Sequence, residues 1–326
     1  MGDLRRLPKA NLHLHLTGAM RPATLAELAT RAGLPLPPPL PGDVAHGWEA
    51  FQERYDIARS AVRTAADVTR VIRETIADSE DDGAAWVEIQ IDPTSYAQRL
   101  GGEAAVVETA LAAAAGRAGI VLASSWAGSP ETAARIARLA ALYRPHGVLG
   151  FGLSNDERRG RVADFAEAFR IAADAGLLSV PHAGFYEAAW HVRECVDLLG
   201  ARRIGHGLTA AADPVTLEFL AERGVTLEVC PTSYPPFGMS FPLVRLLEAG
   251  VPVALGTDDP LLFGADLSTQ YAIARRLGLD DAALAELARQ SIHASAAPPA
   301  LRASMLAGVD AWLAAGDDAR PRGMPG

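Results

Sequence analysis

The sequence predicts an α/β fold consisting of a single (β/α)8 TIM-type barrel with extra helices. Eight short apolar segments alternate with helical patterns at regular spacing along the 326 residues, as in parallel barrels. That length suits one large barrel as well as two average domains, but no linker or internal repeat divides the chain. The hydrophobic content of 49% supports one sizeable core. We therefore predict a single domain over residues 1–326, in which 316–326 form a disordered tail.

The first strand is predicted over residues 7–16, where alternation places His13 and His15 on one face and leucines on the other. A turn then leads into a helix with Pro22 in its first turn, a position that tolerates proline. Residues 34–42 are rich in proline and cannot form a regular helix or strand, so we expect a loop there.

The other elements follow from periodicity in the same way. Short apolar segments bounded by turn residues predict the other seven strands over residues 86–93, 119–125, 147–153, 177–182, 203–206, 226–231 and 251–257. Apolar residues three and four apart predict further helices over 47–65, 66–78, 103–118, 130–142, 161–175, 188–199, 214–223 and 242–249. A helical region over 266–315 is expected to add to the outer shell of the barrel.

Composition and charge exclude several classes of function. A net charge of −9 makes a nucleic-acid backbone an unsuitable partner, because phosphates are bound by basic surfaces. No apolar run is long enough to span a bilayer, and the first residues lack the apolar segment of a secretion signal. We therefore predict a cytoplasmic protein that binds neither nucleic acid nor membrane. Cys195 and Cys230 lack metal-binding spacing and are expected to be small buried side chains. The sequence leaves the oligomeric state open.

Six polar residues come at the ends of four predicted strands: His13, His15, His182, His206, Asp258 and Asp259. The C-terminal ends of barrel strands meet on one rim, where the active sites of such barrels lie. A lone histidine is more often structural, which is our interpretation of the other four: His46, His146, His191 and His293. Four histidines and an aspartate on one rim instead predict a metal site.

The predicted ligands indicate which ion the site would take. Three imidazoles and a carboxylate suit one Zn²⁺ ion, which accepts nitrogen and oxygen ligands and keeps a position open for water. Fe²⁺ and Mn²⁺ stay possible, because ligand type discriminates poorly among these ions. Water bound to such an ion loses a proton near neutral pH and becomes a nucleophile, and a nearby histidine can orient it or accept its proton.

Four stretches also carry a resemblance to a known family: Pro8-Lys9-Ala10-Asn11-Leu12-His13-Leu14-His15, His182-Ala183-Gly184, Gly205-His206-Gly207 and Thr257-Asp258-Asp259-Pro260. In this order and at this spacing they resemble the adenosine deaminase family of the metal-dependent amidohydrolase superfamily. The resemblance covers most of the chain. The His13-x-His15 pair alone is a weak signal, whereas the ordered combination is specific.

The resemblance implies a role for each of these residues. It implies that one zinc ion is bound by four of them: His13, His15, His182 and Asp258. It also implies that His206 positions the zinc-bound hydroxide and that Asp259 shares a hydrogen bond with a purine ring nitrogen. A second metal bridged by a carbamylated lysine is excluded, because Lys9 is the only lysine and precedes the histidines of the first strand.

The sequence departs from the family pattern at the ligand-facing end of the barrel. Phe185 stands where the family has a glutamate that protonates a purine ring nitrogen. Thr17 stands in place of an aspartate that contacts the ribose, Asn155 near a glycine that contacts the purine, and Gln90 in place of an arginine. Trp126 and Phe185 are expected to make the pocket more aromatic. The expected substrate-binding residues are Asp259, Asn155, Thr17 and Phe185.

These observations predict a zinc-dependent hydrolytic deaminase that acts on a C–N bond of a purine-like or other nitrogen heterocycle. His206 and Asp258 are the predicted catalytic residues, with Asp258 taking the hydroxide proton and returning it to the leaving group. General acid catalysis is worth about 10²–10⁴ in rate, so the exchange at Phe185 predicts inefficient deamination of adenosine.

Two alternatives stay open. The protein could deaminate adenosine or another 6-aminopurine nucleoside with Glu187 or a water molecule as the acid. It could also be a non-catalytic protein that binds a metal and a nucleoside, although binding alone requires neither His206 nor Asp258. In each case the partner is a small heterocyclic or nucleoside-like molecule.

Overall fold

The structure is a computed structural model that describes residues 2–36 and 45–318. Eight parallel strands, each paired with the next in chain order, form a nearly closed barrel, which confirms the predicted fold. The strands are β1 (Lys9–Asn11), β2 (Ala84–Ile91), β3 (Gly119–Ser125), β4 (Val148–Ser154), β5 (Leu178–Ala183), β6 (Arg203–His206), β7 (Thr226–Val229) and β8 (Val253–Leu255). The predictions for 37–42 of the proline-rich loop and for 319–326 of the tail lie outside the described residues.

The barrel closes between its first and last strands, where the first two histidines lie. Strand β1 is shorter than predicted, but backbone pairing resumes beyond it. The His15 N–H donates to Asp258 O at 3.2 Å, and the Asp258 N–H donates to His13 O at 2.9 Å. On its other side, His15 forms a parallel bridge with Gln90 of β2. These bonds hold both histidines between the ends of β2 and β8.

Fourteen helices in the described part of the chain lie around or beside the barrel: α1 (Pro22–Ala32), α2 (Gly47–Ala61), α3 (Ala65–Asp81), α4 (Thr94–Leu100), α5 (Glu103–Ala114), α6 (Pro130–Tyr143), α7 (Ala166–Asp174), α8 (Ala189–Leu199), α9 (Pro214–Arg223), α10 (Leu243–Glu248), α11 (Pro260–Phe263), α12 (Leu267–Arg276), α13 (Asp281–Ala294) and α14 (Pro299–Asp318). Short 3-10 turns occur between several strands and helices. None of the helices described is long and apolar enough to cross a membrane.

Several helices differ from the predicted ones, and both α4 and α11 lie outside every predicted helix. The helix predicted over 103–118 stops before Ala115, which takes a left-handed conformation with φ of 48° and caps it through its N–H. Helix α4 was not predicted, because Tyr96 is the only buried side chain among its seven residues and no apolar periodicity results. Helix α14 continues to Asp318, so it takes in the first residues of the predicted tail.

A network of buried charges occupies the barrel interior below the strand ends. Arg203 on β6 lies between two carboxylates, with Nη2 2.6 Å from Glu88 Oε2 and Nε 2.8 Å from Glu228 Oε1. The second contact is an ion pair whose angle does not suit a hydrogen bond. Glu88 Oε1 also accepts from the Trp86 indole at 3.1 Å and from the Ala296 amide at 2.7 Å. Such partners are needed because removing charges from water costs several kcal/mol per ion.

Arg203→Met should lower the free energy of unfolding by about 3–5 kcal/mol, because it leaves two buried carboxylates without their counter-charge. Urea unfolding followed by far-UV circular dichroism measures this change. Arg202→Met is the matched control, because Arg202 is an exposed neighbour and surface changes usually stay within about 0.5 kcal/mol. Equal effects of the two substitutions would contradict a stabilising role for the network.

Candidate active site

The strand ends bring all four rim histidines into one buried cluster. The ring centre of His13 lies 4.6 Å from that of His182 and 4.8 Å from that of His206. The ring centres of His15 and His182 are 5.1 Å apart. Asp258 lies beside them, with Oδ1 3.5 Å from His13 Nε2 and 3.4 Å from His15 Nε2. The residues that the sequence placed on one rim therefore share one site.

Four donor atoms in this cluster converge in a way that fits a metal ion. The Nε2 atoms of His15 and His182 are 3.2 Å apart, and two imidazole nitrogens this close need a shared proton or a cation between them. His13 Nε2 is buried and has no hydrogen-bond partner among the described residues. Potential ligand atoms of His13, His15 and His182 all lie within 4.8 Å of one another. With Asp258, these atoms form the nitrogen and oxygen set that zinc accepts.

Unusual backbone positions aim two of these side chains into the cluster. His206 has a φ of 72° and Asp258 a φ of 58°, a left-handed region that costs energy for residues other than glycine. Their neighbours leave no room for a side chain. A Cβ on Gly205 would lie 2.8 Å from His13 Cε1, and one on Gly256 would lie 2.6 Å from His13 Cβ. Gly205, directly before His206, and Gly256, two residues before Asp258, are therefore packing requirements of the site.

Glu228 connects the histidine cluster to the charge network below it. Its Oε2 lies 3.0 Å from His13 Nδ1, which places a proton on Nδ1 and turns Nε2 toward the cluster. Burial opposes a charge on His13, but the carboxylates of Asp258 and Glu228 outweigh it and raise its pKa to about 10. These two carboxylates thus create a demand for positive charge that either a proton or a metal ion can meet. Sequence reasoning missed Glu228, because it lies inside β7 rather than at its end.

The other imidazoles are kept neutral by burial. Burial lowers the pKa of His206 to about 3, although Asp258 acts in the opposite direction. Burial and the neighbouring histidines lower the pKa of His182 well below its ordinary value. A neutral imidazole is the form that can bind a metal or accept a proton from water. Cys230 is buried as predicted and lies close to His13, yet burial holds the pKa of its thiol well above the ordinary value.

A cavity of about 390 Å³ opens above the histidines. All four residues expected to bind substrate line it: Thr17, Asn155, Phe185 and Asp259. Gln90 lines it as well, whereas Trp126 does not. Trp126 is fully buried, and its indole N–H donates to His182 O at 2.9 Å. Trp126 therefore supports the end of β5, and the prediction that it makes the pocket more aromatic was wrong.

Three of the lining residues show how the departures from the family pattern fit the site. Thr17 Oγ1 lies 2.5 Å from the Tyr96 hydroxyl, so its hydroxyl group already has a partner in the wall. Asn155 has a φ of 75°, a left-handed conformation that asparagine tolerates better than most residues, which explains how it can stand near a glycine position. Burial and the nearby charge of Asp258 raise the pKa of Asp259 well above its usual range. Asp259 can therefore donate a hydrogen bond.

At position 185 the cavity wall has an aromatic ring rather than an acidic group. The ring centre of Phe185 lies 4.8 Å from that of His206 and 5.2 Å from that of Phe237. Six more aromatic residues line the same cavity: Trp48, Phe51, Tyr55, Tyr96, Tyr186 and Phe263. The site therefore combines a polar floor with an apolar upper wall.

Glu187 is not among the residues that line this cavity. Its carbonyl accepts from Thr209 Oγ1 at 2.8 Å, and its amide donates to Glu157 Oε1 at 2.6 Å. Glu157 itself does line the cavity and is only 2% exposed. Sequence reasoning missed Glu157 because it follows a strand in a stretch of charged residues that looks like a solvated loop.

A parallel barrel whose strand ends carry a buried cluster of histidines and an aspartate defines a metal-dependent hydrolase of the amidohydrolase type. The chain belongs to the adenosine deaminase family, whose sequence model matches residues 8–312. Its members act on C–N bonds, and so does this protein.

Individual relatives agree with this assignment. A Streptomyces coelicolor protein provisionally named adenosine/adenine deaminase is 49% identical over 338 residues, which cover 96% of this chain and 98% of that one. The aminodeoxyfutalosine deaminase of Acidothermus cellulolyticus is 35% identical over 303 residues, covering 85% of each chain. The crystal structure of an adenine deaminase from Arthrobacter aurescens matches with a TM-score of 0.86 at 27% identity, covering 94% of this chain and 99% of that one. The protein is thus a hydrolytic deaminase of a purine-like substrate.

Glu228→Gln should weaken metal binding about 10–100-fold, because the amide no longer fixes the charge and tautomer of His13. Competition with a chromogenic zinc chelator measures the affinity, and circular dichroism checks that the barrel is retained. Glu222→Gln is the control, because Glu222 is exposed on α9 and belongs neither to the histidine cluster nor to the cavity lining. Unchanged affinity in Glu228→Gln would contradict the role given to this carboxylate.

Proposed function

We propose that the protein is a zinc-dependent deaminase that removes an amino group, as ammonia, from a purine-like heterocycle other than adenosine. The single ion would be held by His13, His15, His182 and Asp258. The observation that carries the proposal is the convergence of three imidazole groups and one carboxylate at the floor of a ligand-sized cavity. Fe²⁺ or Mn²⁺ would use the same ligands, but three nitrogens and one oxygen suit zinc well.

Each residue of the site has a chemical task in this proposal. A divalent ion bound there supplies water that ionises near neutral pH. His206, neutral and buried, orients the attacking oxygen and offsets its charge. Asp258 accepts the proton of the hydroxide as the oxygen adds to the ring and returns it to the leaving amine. Asp259, kept protonated by burial and by Asp258, donates a hydrogen bond to a ring nitrogen and fixes the ring.

The relatives and the cavity support the proposed substrate class. Relatives named as deaminases of adenine, adenosine and aminodeoxyfutalosine support a purine-like ring. Adenosine itself is expected to be a poor substrate for two reasons. Phe185 offers no proton to the ring, and Thr17, already bonded to Tyr96, replaces the residue that contacts the ribose in the family.

Ammonia release tests the proposal directly. The zinc-loaded protein should deaminate at least one member of a panel of adenine, aminodeoxyfutalosine, modified adenines and pterins, measured by coupled detection of ammonia. Removing the metal with a chelator should abolish turnover, and zinc should restore it. His206→Ala should lower kcat at least about 10²-fold on the same substrate. Tight binding of a nucleoside by calorimetry with no product from any panel member would instead favour a binding protein.

Phe185→Glu should raise the kcat/KM for adenosine by about 10²–10⁴, because it restores an acid next to the ring. Steady-state loss of adenosine absorbance at varied concentration measures the gain. Phe185→Gln has nearly the same shape as the glutamate variant but donates no acidic proton, so it is the matched control. If both variants had the same kcat/KM, the missing acid would not be what limits adenosine turnover.

A further inference from the structure

Four carboxyl groups line the cavity within the described part of the chain: Asp92, Glu157, Asp258 and Asp259. Asp258 belongs to the proposed metal ligands, and Asp259 follows it directly in the chain. Asp92 is committed to local bonds, because its Oδ1 accepts from the Thr94 amide at 2.9 Å and from the Thr94 hydroxyl at 2.6 Å. Glu157 is therefore the carboxyl group without an assigned task.

Glu157 lies against the turn that carries Phe185. It begins a short 3-10 turn after β4, and its side chain reaches across to the residues that follow β5. Its Oε1 accepts from the Tyr186 amide at 2.5 Å and from the Glu187 amide at 2.6 Å. The carboxyl group thus sits beside the backbone from which the family's acid would extend.

The second oxygen of Glu157 is the unusual one. Oε2 is buried and has no hydrogen-bond partner among the described residues. The nearest basic group is His191 Nδ1 at 3.6 Å, beyond hydrogen-bond distance. A buried anionic oxygen without a partner is costly, whereas a protonated one is not charged. The geometry therefore favours the protonated form of the Glu157 carboxyl group.

The groups that face Glu157 do not supply a compensating positive charge. Burial is the main influence and raises the pKa of Glu157 to about 7, although the amides of residues 185–187 act in the opposite direction and Glu187 adds to the rise. On α8, burial lowers the pKa of His191 to about 4 and keeps the Cys195 thiol protonated. In its own turn, Arg158 is paired with Asp156 at 2.8 Å.

We propose that Glu157 is the proton donor of this active site and takes over the task of the glutamate that Phe185 replaces. The inference rests on the proposed deaminase function. Hydroxide forms a bond to the amino-bearing ring carbon, and the electron pair of the C=N bond moves to the ring nitrogen. That nitrogen takes the proton of Glu157, directly or through one water molecule, and leaves a carboxylate. The C–N bond to the amine then breaks, and ammonia leaves with the proton of the added hydroxyl group.

The proton balance closes over the cycle. The product keeps the proton from Glu157 on its ring nitrogen, and the proton released when water ionises restores Glu157. The sum is one substrate and one water converted to one oxo product and one ammonia. Because the proton comes from the β4 side of the turn rather than from residue 185, the preferred substrate is an aminated heterocycle whose basic ring nitrogen faces β4. This difference separates its substrate from adenosine.

Glu157→Gln tests the proposal on the zinc-loaded protein with the best substrate of the panel. The amide oxygen can still accept from the Tyr186 and Glu187 amides, but the side chain no longer carries an acidic proton. We expect kcat to fall about 10²–10⁴-fold while KM changes little. Glu187→Gln is the matched control and should keep kcat within about threefold, because Glu187 does not line the cavity. Zinc content and the thermal midpoint show whether the turn is intact.

A pH profile gives a second, independent readout. In the wild-type protein, kcat should fall as the pH rises through about 7, because Glu157 then loses its proton. In Glu157→Gln this descending limb should be absent. A variant that keeps kcat within about threefold, or a wild-type kcat that is flat from pH 6 to 9, would overturn the assignment and leave Glu157 a support of the turn. No ammonia from any substrate with the wild-type protein would instead reject the proposed function, and this inference with it.

Discussion

The arrangement of this protein depends on one chain of buried charges that runs through the barrel. In the interior, the positive charge of Arg203 compensates the negative charges of Glu88 and Glu228. The other oxygen of Glu228 lies against His13 at the rim, where its negative charge also acts. Because each member is almost fully buried, none can be compensated by solvent. At the rim, this series of buried charged groups therefore ends in a site that requires a positive charge. The left-handed backbone at His206 and Asp258 is tolerated because this cluster and the barrel around it hold those residues in place.

Much of this site could be predicted from the sequence, because barrel strands deliver their terminal residues to one rim. Histidine and aspartate at the ends of four predicted strands were enough to predict one shared site for five residues: His13, His15, His182, His206 and Asp258. Glu228 could not be predicted in this way, since a glutamate within a strand looks the same whether it faces a core charge or solvent. Glu157 escaped for a similar reason. Its partners are backbone amides about thirty residues away. Every residue except proline has a backbone amide, so the residue types at these positions do not reveal the contact.

Other predictions failed where local sequence gives no periodic signal. Trp126 follows a strand, as pocket residues do, but its indole turns into the core and bonds to the carbonyl of His182. The break after α5 depends on an alanine in a left-handed conformation, which composition does not indicate. The fold and the candidate metal ligands could therefore be predicted from the sequence. The residues that support them, such as Trp126, could not, because their roles depend on tertiary packing.

The closure of the barrel has a consequence for how the chain matures. The bonds that hold His13 and His15 in place come from Asp258, at the opposite end of the barrel sequence. During synthesis the first two histidines are made before β2, whereas Asp258 is made only after all eight strands. A shortened chain that ends before Asp258 lacks both the backbone hydrogen bonds that hold His13 and His15 and the carboxylate of Asp258. The four proposed metal ligands can therefore come together only after β8 has been made, so an ion that needs all four of them would bind after the barrel has closed.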